Sequence, residues 1–201
     1  AFSEKSVIKP TNPYSASKAS ADLLCMSYYK THSFPVVVTR CSNNYGPYQY
    51  PEKLIPLAIQ KIQNSNRIPI YGDGRQIRDW IHVEDHCRGI LRVLESGHYG
   101  EIYNFGGYSE IENINCIKKI INQISPGEDY NNYIEYVKDR PGHDTRYAIN
   151  ANKSFEELSW KPKYNFDEGI IQTVNWYKSN QEWLSNHCNS DTYLKWVEKN
   201  Y

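Results

Sequence analysis

The sequence predicts an α/β fold, and three observations predict it. A helical segment with its own start signal, Asn12 followed by Pro13, opens the ordered chain. A β-branched run, Pro35-Val36-Val37-Val38-Thr39-Arg40, comes next with no polar interruption before Thr39, as in a strand buried on both faces of a parallel sheet. Apolar helical stripes and short, glycine-terminated strand patterns then alternate along the rest of the chain, the order that builds α/β layers.

Residues 1–11 read as a polar, extended lead-in. In the first helix, expected to reach about His32, Ala16, Ala19, Leu23 and Met26 recur at three- and four-residue steps and predict one apolar stripe. After the buried strand, Cys41-Ser42-Asn43-Asn44-Tyr45-Gly46-Pro47 is dense in amides and turn formers. It reads either as an ordinary connection or as a ligand-binding edge, since open α/β sheets bind ligands beyond the carboxyl ends of their strands. Residues 52–64 carry Leu54, Ile55, Ala58, Ile59 and Ile62 on one helical side, with Pro56 tolerated in the first turns. Residues 68–71 and 76–83 read as strands, joined by Gly72-Asp73-Gly74 as a hairpin turn.

The next helix is expected to be capped by Glu84 or Asp85, to continue through Ile90, Val93 and Leu94, and to stop at Gly97 and Gly100. His82 and His86 then fall on either side of a strand-to-helix junction rather than on one helical face. Without the His-Glu-x-x-His order, no metal site is expected. A short strand at 102–107, ending in glycines, precedes a helix capped by Asn113, with Ile117, Ile120, Ile121 and Ile124 as its stripe. Tyr133-Ile134-Glu135-Tyr136-Val137 alternates like a half-buried strand, and Asp139-Arg140-Pro141-Gly142-His143-Asp144 makes a charged turn with Arg146 just beyond. A short helix near Phe155 follows. Asn165 and Glu168 stand at capping-box spacing before Ile170, Ile171, Val174 and Tyr177. The last stretch, with Trp183, Tyr193, Trp196 and Val197, is expected to pack back on the body.

Composition narrows the partners. Lys plus Arg and Asp plus Glu both total 23, so no broad attraction to nucleic acid or to an anionic membrane is implied. The 18 tyrosines suit a polar organic ligand, because a phenol packs and hydrogen-bonds at once. Five scattered cysteines form no Cys-x-x-Cys pair, which points to a reducing, cytoplasmic setting without zinc or a disulfide framework. No apolar run approaches the roughly 18 residues of a membrane span, and the one glycosylation sequon, Asn152-Lys153-Ser154, carries no weight in such a compartment.

The most chemical stretch is Asn12-Pro13-Tyr14-Ser15-Ala16-Ser17-Lys18. Tyr14 and Lys18 lie slightly more than one helical turn apart and share a face. An ammonium beside a phenol favours the phenolate, which lets a tyrosine take a proton from a hydroxyl near neutral pH. The bland reading is a solvated pair. Arg78 offers a guanidinium fork that matches phosphate oxygens, or alternatively pairs with Asp79 or another carboxylate. The turn at 139–144 reads equally as an anion cradle or a salt-bridged loop.

Four segments in order carry a resemblance: Pro-Tyr-Ser-Ala-Ser-Lys; Ser-Asn-Asn-Tyr-Gly-Pro-Tyr-Gln-Tyr-Pro-Glu-Lys-Leu-Ile-Pro; Tyr-Gly-Asp-Gly-Arg-Gln-Ile-Arg-Asp-Trp; and Asp-Arg-Pro-Gly-His-Asp. Together they closely resemble the nucleotide-sugar 4,6-dehydratases, above all the dTDP-glucose 4,6-dehydratase family of the extended short-chain dehydrogenase/reductases. The resemblance runs along essentially the whole chain. It implies the C-terminal part of a Rossmann-like NAD(P)-binding fold interleaved with a small mixed α/β substrate-binding domain. Residues 1–44 and 76–107 would belong to the dinucleotide side, 45–75 and 108–201 to the sugar-nucleotide side.

The same resemblance implies roles. Tyr14 would take the sugar 4-hydroxyl proton while hydride leaves C4 for NAD, and Lys18 would favour its phenolate and hold the nicotinamide ribose. Asn44 would touch the cofactor. Asn43, Lys53, Leu54, Pro69, Ile70, Tyr71, Arg78, Asn113, Asp139, Arg140, Pro141, Gly142 and His143 would line the pocket, with Arg78 on the diphosphate. Water would then leave across C5–C6 and hydride return to C6, giving a 4-keto-6-deoxy sugar.

The family's Gly-x-x-Gly-x-x-Gly loop and its Thr-Asp-Glu triplet do not occur in these residues. They are therefore expected to be the C-terminal portion of a longer homodimeric enzyme, inactive alone and prone to self-association through an uncovered sheet edge. A UDP-glucose 4,6-dehydratase or an epimerase is the alternative within the group. A non-catalytic sugar-nucleotide-binding module is the alternative outside it, and it would bind nucleotide without NAD.

Overall fold

The computed structural model describes residues 1–139, 142 and 144–200. In chain order the elements are α1 (Pro13–His32), β1 (Val38–Cys41), β2 (Asn43–Tyr45), α2 (Leu54–Gln63), β3 (Ile68–Tyr71), β4 (Ile77–His82), α3 (Val83–Ser96) and β5 (Ile102–Phe105). They continue with β6 (Glu110–Glu112), α4 (Asn113–Ile124), β7 (Ile134–Val137), β8 (Arg146–Tyr147), α5 (Asn152–Leu158), α6 (Phe166–Ser179), α7 (Gln181–Cys188) and α8 (Asp191–Asn200). Two contact-dense units interleave along the chain. One comprises Ala1–Asn44, Arg78–Glu110 and Gly142–Tyr164; the other comprises Tyr45–Ile77, Ile111–Pro141 and Asn165–Tyr201.

In the first unit, β1 and β5 pair in parallel, Val38 opposite Ile102 and Cys41 opposite Phe105. Ile81, Val93, Tyr103, Phe105, Ala151, Leu158 and Trp160 form its core, with Val37 and Cys41 packed against them. Polar ties fix the periphery of that core. The carboxylate of Asp85, fully buried in the first turn of α3, accepts from the backbone N–H groups of Lys163 at 2.9 Å and Tyr164 at 3.0 Å. Arg88 pairs with the same carboxylate and donates to the Lys161 carbonyl at 3.0 Å. These bonds tie the start of α3 to residues 161–164, part of the Gly142–Tyr164 segment that clusters with the first unit.

Helix α1 starts as the sequence predicts: the Asn12 side chain accepts from the Ser15 N–H at 2.9 Å and Pro13 sits in the first turn. Its stripe is less buried than the periodicity suggests. No residue of α1 is fully buried, and Leu23 is 63% exposed. The helix is held instead by an ion pair, Asp22 with Arg40 of β1 at 2.7 Å, and by Tyr29 against Gly100. Gly100 has φ +79°, and a β-carbon there would stand 2.0 Å from the Tyr29 ring, so only glycine fits.

In the second unit, β3 pairs in parallel with β7, Ile68 opposite Ile134 and Tyr71 opposite Val137. Ile55, Leu57 and Ile59 of α2, Ile117, Ile120 and Ile121 of α4, and Ile170, Val174 and Tyr177 of α6 are all buried. The predicted cap of α6 is present, with Asn165 accepting from the Glu168 N–H at 2.9 Å. The C-terminal stretch packs on this unit through buried Leu184, Cys188 and Tyr193, and the rings of Tyr50 and Tyr193 meet edge-on.

Three local expectations change. The turn at 72–74 is not a hairpin, because β3 pairs with β7 while β4 lies between β2 and β6, with β8 also beside it. Helix α3 is capped by His82, whose Nδ1 accepts from the Glu84 N–H at 3.4 Å; Glu84 and Asp85 lie inside it. The buried face of α3 is Asp85, Gly89 and Val93 at four-residue steps, which turns Ile90 and Leu94 outward, the latter 78% exposed. Glu112 rather than Asn113 occupies the cap of α4, and Asn113 is its first helical residue. No helix among the described residues is long and apolar enough to cross a membrane.

Candidate active site

The first unit holds Tyr14, Lys18, Asn43, Asn44, Arg78 and Gly142; the second holds Lys53, Leu54, Pro69, Ile70, Tyr71, Asn113 and Asp139. Arg140, Pro141 and His143 lie outside the described residues. At the head of α1, Tyr14 and Lys18 are both exposed, and the Lys18 Nζ stands 5.9 Å from the centre of the Tyr14 ring. The pair is thus open on one face, as proton exchange with an added molecule requires.

Asn43 and Asn44 begin β2, directly after the carboxyl end of β1. The Asn44 amide donates from Nδ2 to the Ser42 carbonyl and to the Cys41 Sγ, each at 3.2 Å, and its Oδ1 meets the Nδ1 of His86 at 2.9 Å. Burial pushes the Cys41 thiol up, so it stays protonated. Arg78 and Asp79 are adjacent on β4, so their side chains point to opposite faces. Asp79, 1% exposed, accepts from the N–H groups of Ser109 at 2.8 Å and Gly107 at 3.2 Å. Burial raises its carboxyl above the usual value, opposed by those bonds. Arg146 is committed to Glu110 through two bonds at 2.6 and 2.8 Å, which settles the salt-bridged reading for that arginine.

In the second unit the implied residues gather around Gln76. Its Nε2 donates to Asp139 at 3.1 Å and to the Tyr71 carbonyl at 3.4 Å, and its backbone carbonyl accepts from the Asn113 N–H at 3.0 Å. Asn113 Oδ1 is buried and has no hydrogen-bond partner among the described residues, an acceptor available to a bound donor. Pro69 and Ile70 are buried within β3 and support Tyr71 rather than face solvent. Lys53 is exposed and pairs with Glu52 at 2.6 Å; Leu54, half-buried, opens α2. Gly142, at φ +69°, is exposed, and a β-carbon there would meet nothing within 4 Å among the described residues.

Two residues that sequence reasoning did not single out hold implied site residues, each within its own unit: His86 bonds Asn44 in the first and Gln76 bonds Asp139 in the second. Only Gln76 had a local signal, its place between the glycine turn and Arg78.

A parallel-stranded α/β frame with a Tyr-x-x-x-Lys pair at the head of a long helix defines an extended short-chain dehydrogenase/reductase of Rossmann-like fold. The chain belongs to the GDP-mannose 4,6 dehydratase family, whose profile matches residues 1–173. The dTDP-glucose 4,6-dehydratase of Shigella flexneri is 50% identical over 204 aligned residues, covering 100% of this chain and 56% of that protein. The crystal structure of dTDP-glucose 4,6-dehydratase from Bacillus anthracis in complex with NAD superimposes with a TM-score of 0.88 at 51% identity, over 92% of this chain and 58% of that one. The Streptomyces venezuelae dTDP-glucose 4,6-dehydratase, with NAD bound, gives 0.89 at 42% identity, over 93% and 57%. The chain thus spans little more than half the length of these relatives.

Proposed function

We propose that these residues form part of an NAD-dependent nucleotide-sugar 4,6-dehydratase acting on dTDP-glucose. The observation that carries the reading is the open Tyr14–Lys18 face at the head of α1, in a chain half identical along its whole length to dTDP-glucose 4,6-dehydratases. The residues present fit the nicotinamide end of the cofactor. A phenol and an ammonium on one exposed face suit a ribose diol beside a reacting hydroxyl, and Asn44 stands at the carboxyl edge of the sheet where such ligands bind. They supply no glycine-rich phosphate cradle of their own.

NAD, when bound, accepts a hydride and later returns it. Tyr14 takes the proton of the sugar 4-hydroxyl on its side-chain oxygen, and Lys18, on the same exposed face, holds the ribose hydroxyls. Arg78 matches the diphosphate with its planar fork. Asn113 Oδ1 accepts a hydrogen bond from the nucleotide sugar, which relieves its unpaired burial.

Assaying the intact protein with dTDP-glucose and UDP-glucose, and following the alkaline absorbance of the 4-keto-6-deoxy product, tests this. Turnover of dTDP-glucose is expected; nucleotide binding with no turnover of either sugar would leave a binding module and defeat the enzyme reading. The active species is a homodimer in this reading, supported by the exposure of Leu23, Leu24 and Tyr28 on α1. Light scattering of the intact Leu23→Glu variant should show weakened association, and an unchanged dimer would remove α1 from the interface.

A further inference from the structure

His82 and His86 look from the sequence like one motif, and the structure gives them opposite tasks. His82 caps α3 through Nδ1 as an acceptor, and its ring lies against Tyr164 with centroids 4.2 Å apart. At His86 the direction is reversed. Both donated bonds of the Asn44 amide leave from Nδ2, so its Oδ1 is the group facing His86, and an amide oxygen only accepts. His86 Nδ1 therefore carries the proton. Burial lowers its affinity for a second one, so the ring is neutral at pH 7 with a single N–H aimed at Asn44.

The ring is itself braced. Phe105 lies beside it at 6.1 Å between centroids, and Trp160 meets Phe105 edge-on at 4.8 Å. Gly89, nearly one turn after His86 on α3, leaves the space Phe105 occupies: a β-carbon there would stand 2.6 Å from the ring. A packed stack thus ends in one hydrogen bond at the start of β2.

We propose that His86 is a positioning residue for the cofactor: its Nδ1–H fixes the Asn44 amide in one orientation, and with it the Cys41–Asn44 edge against which the nicotinamide end of NAD is read. This rests on the reading that Asn44 contacts NAD. The fixed amide saves ordering that would otherwise be lost at each binding event.

The test compares NAD+ and dTDP affinities, by calorimetry on the intact protein, for His86→Leu, His86→Asn and Asn44→Ala. Asparagine places an N–H near the position of Nδ1, so it keeps the donor while shrinking the ring. His86→Leu should weaken NAD+ binding about five- to tenfold, the worth of one hydrogen bond, with dTDP affinity unchanged and with recovery in His86→Asn. Equal loss of NAD+ and dTDP binding, or no recovery in His86→Asn, would make His86 merely a packing residue and overturn the proposal. If Asn44→Ala weakens NAD+ binding and His86→Leu does not, the positioning role fails while Asn44 keeps its place. If Asn44→Ala itself binds NAD+ normally, the underlying reading fails first.

Discussion

Helices α1 and α6 begin alike and end up held by different forces. Each opens with an asparagine whose side chain accepts from the N–H three residues on, at 2.9 Å in both cases. Helix α6 then buries Phe166, Gly169, Ile170, Thr173, Val174 and Tyr177, whereas α1, the longer of the two, buries nothing fully. A cap starts a helix, but the face it meets decides what holds it there. The helix that carries the candidate chemistry is placed by an ion pair and one glycine contact, which leaves its Tyr14–Lys18 face open. The helix that carries none is placed by packing.

The largest stability effect should therefore come from α6. Ile170→Ala, at a position 1% exposed on a helix that contacts α2 and α4, should cost about 2–5 kcal/mol by denaturant unfolding. A cost under about 1 kcal/mol would mean that α6 is no better anchored than α1 and would dissolve the contrast. A smaller effect should come from the histidines of α3. Burial lowers the proton affinity of His82 and His86 from the usual 6.5, so the unfolded chain binds more protons just below that pH. Their contribution to stability is complete above pH 6.5 and is lost as pH falls through their folded-state values. Unfolding midpoints measured from pH 8 downward should show that decline, and His86→Asn should flatten part of it. A stability that does not fall below pH 6.5 would show that the rings are not desolvated as placed.

How much of this was legible follows from where each signal resides. The caps at Asn12 and Asn165 are encoded within a few residues and appear as expected; of Ile170, Ile171, Val174 and Tyr177, all but Ile171 are buried. The pairing of β3 with β7 is encoded nowhere locally: parallel strands meet only after a long crossover, so a glycine turn between β3 and β4 suggested a hairpin that does not form. Histidine is not a preferred cap and two acidic residues follow it in the first turn, so the local sequence points past His82. The Tyr14–Lys18 pair was visible from spacing, and the resemblance gave it meaning. His86 and Gln76 act on Asn44 and Asp139, partners that only the fold brings near, and of the two only Gln76 carries a local signal, its place just after the glycine turn.

The central claim is that the exposed pair on α1 performs proton transfer and is not a solvated surface pair. Tyr14→Phe in the intact protein removes the hydroxyl and little else, since Tyr14 is 72% exposed. With dTDP-glucose as substrate, turnover should fall by about 10²–10⁴-fold, the usual loss for a missing acid–base group, while the unfolding midpoint and dTDP affinity stay within error of the parent. Turnover within a fewfold of the parent would contradict the account.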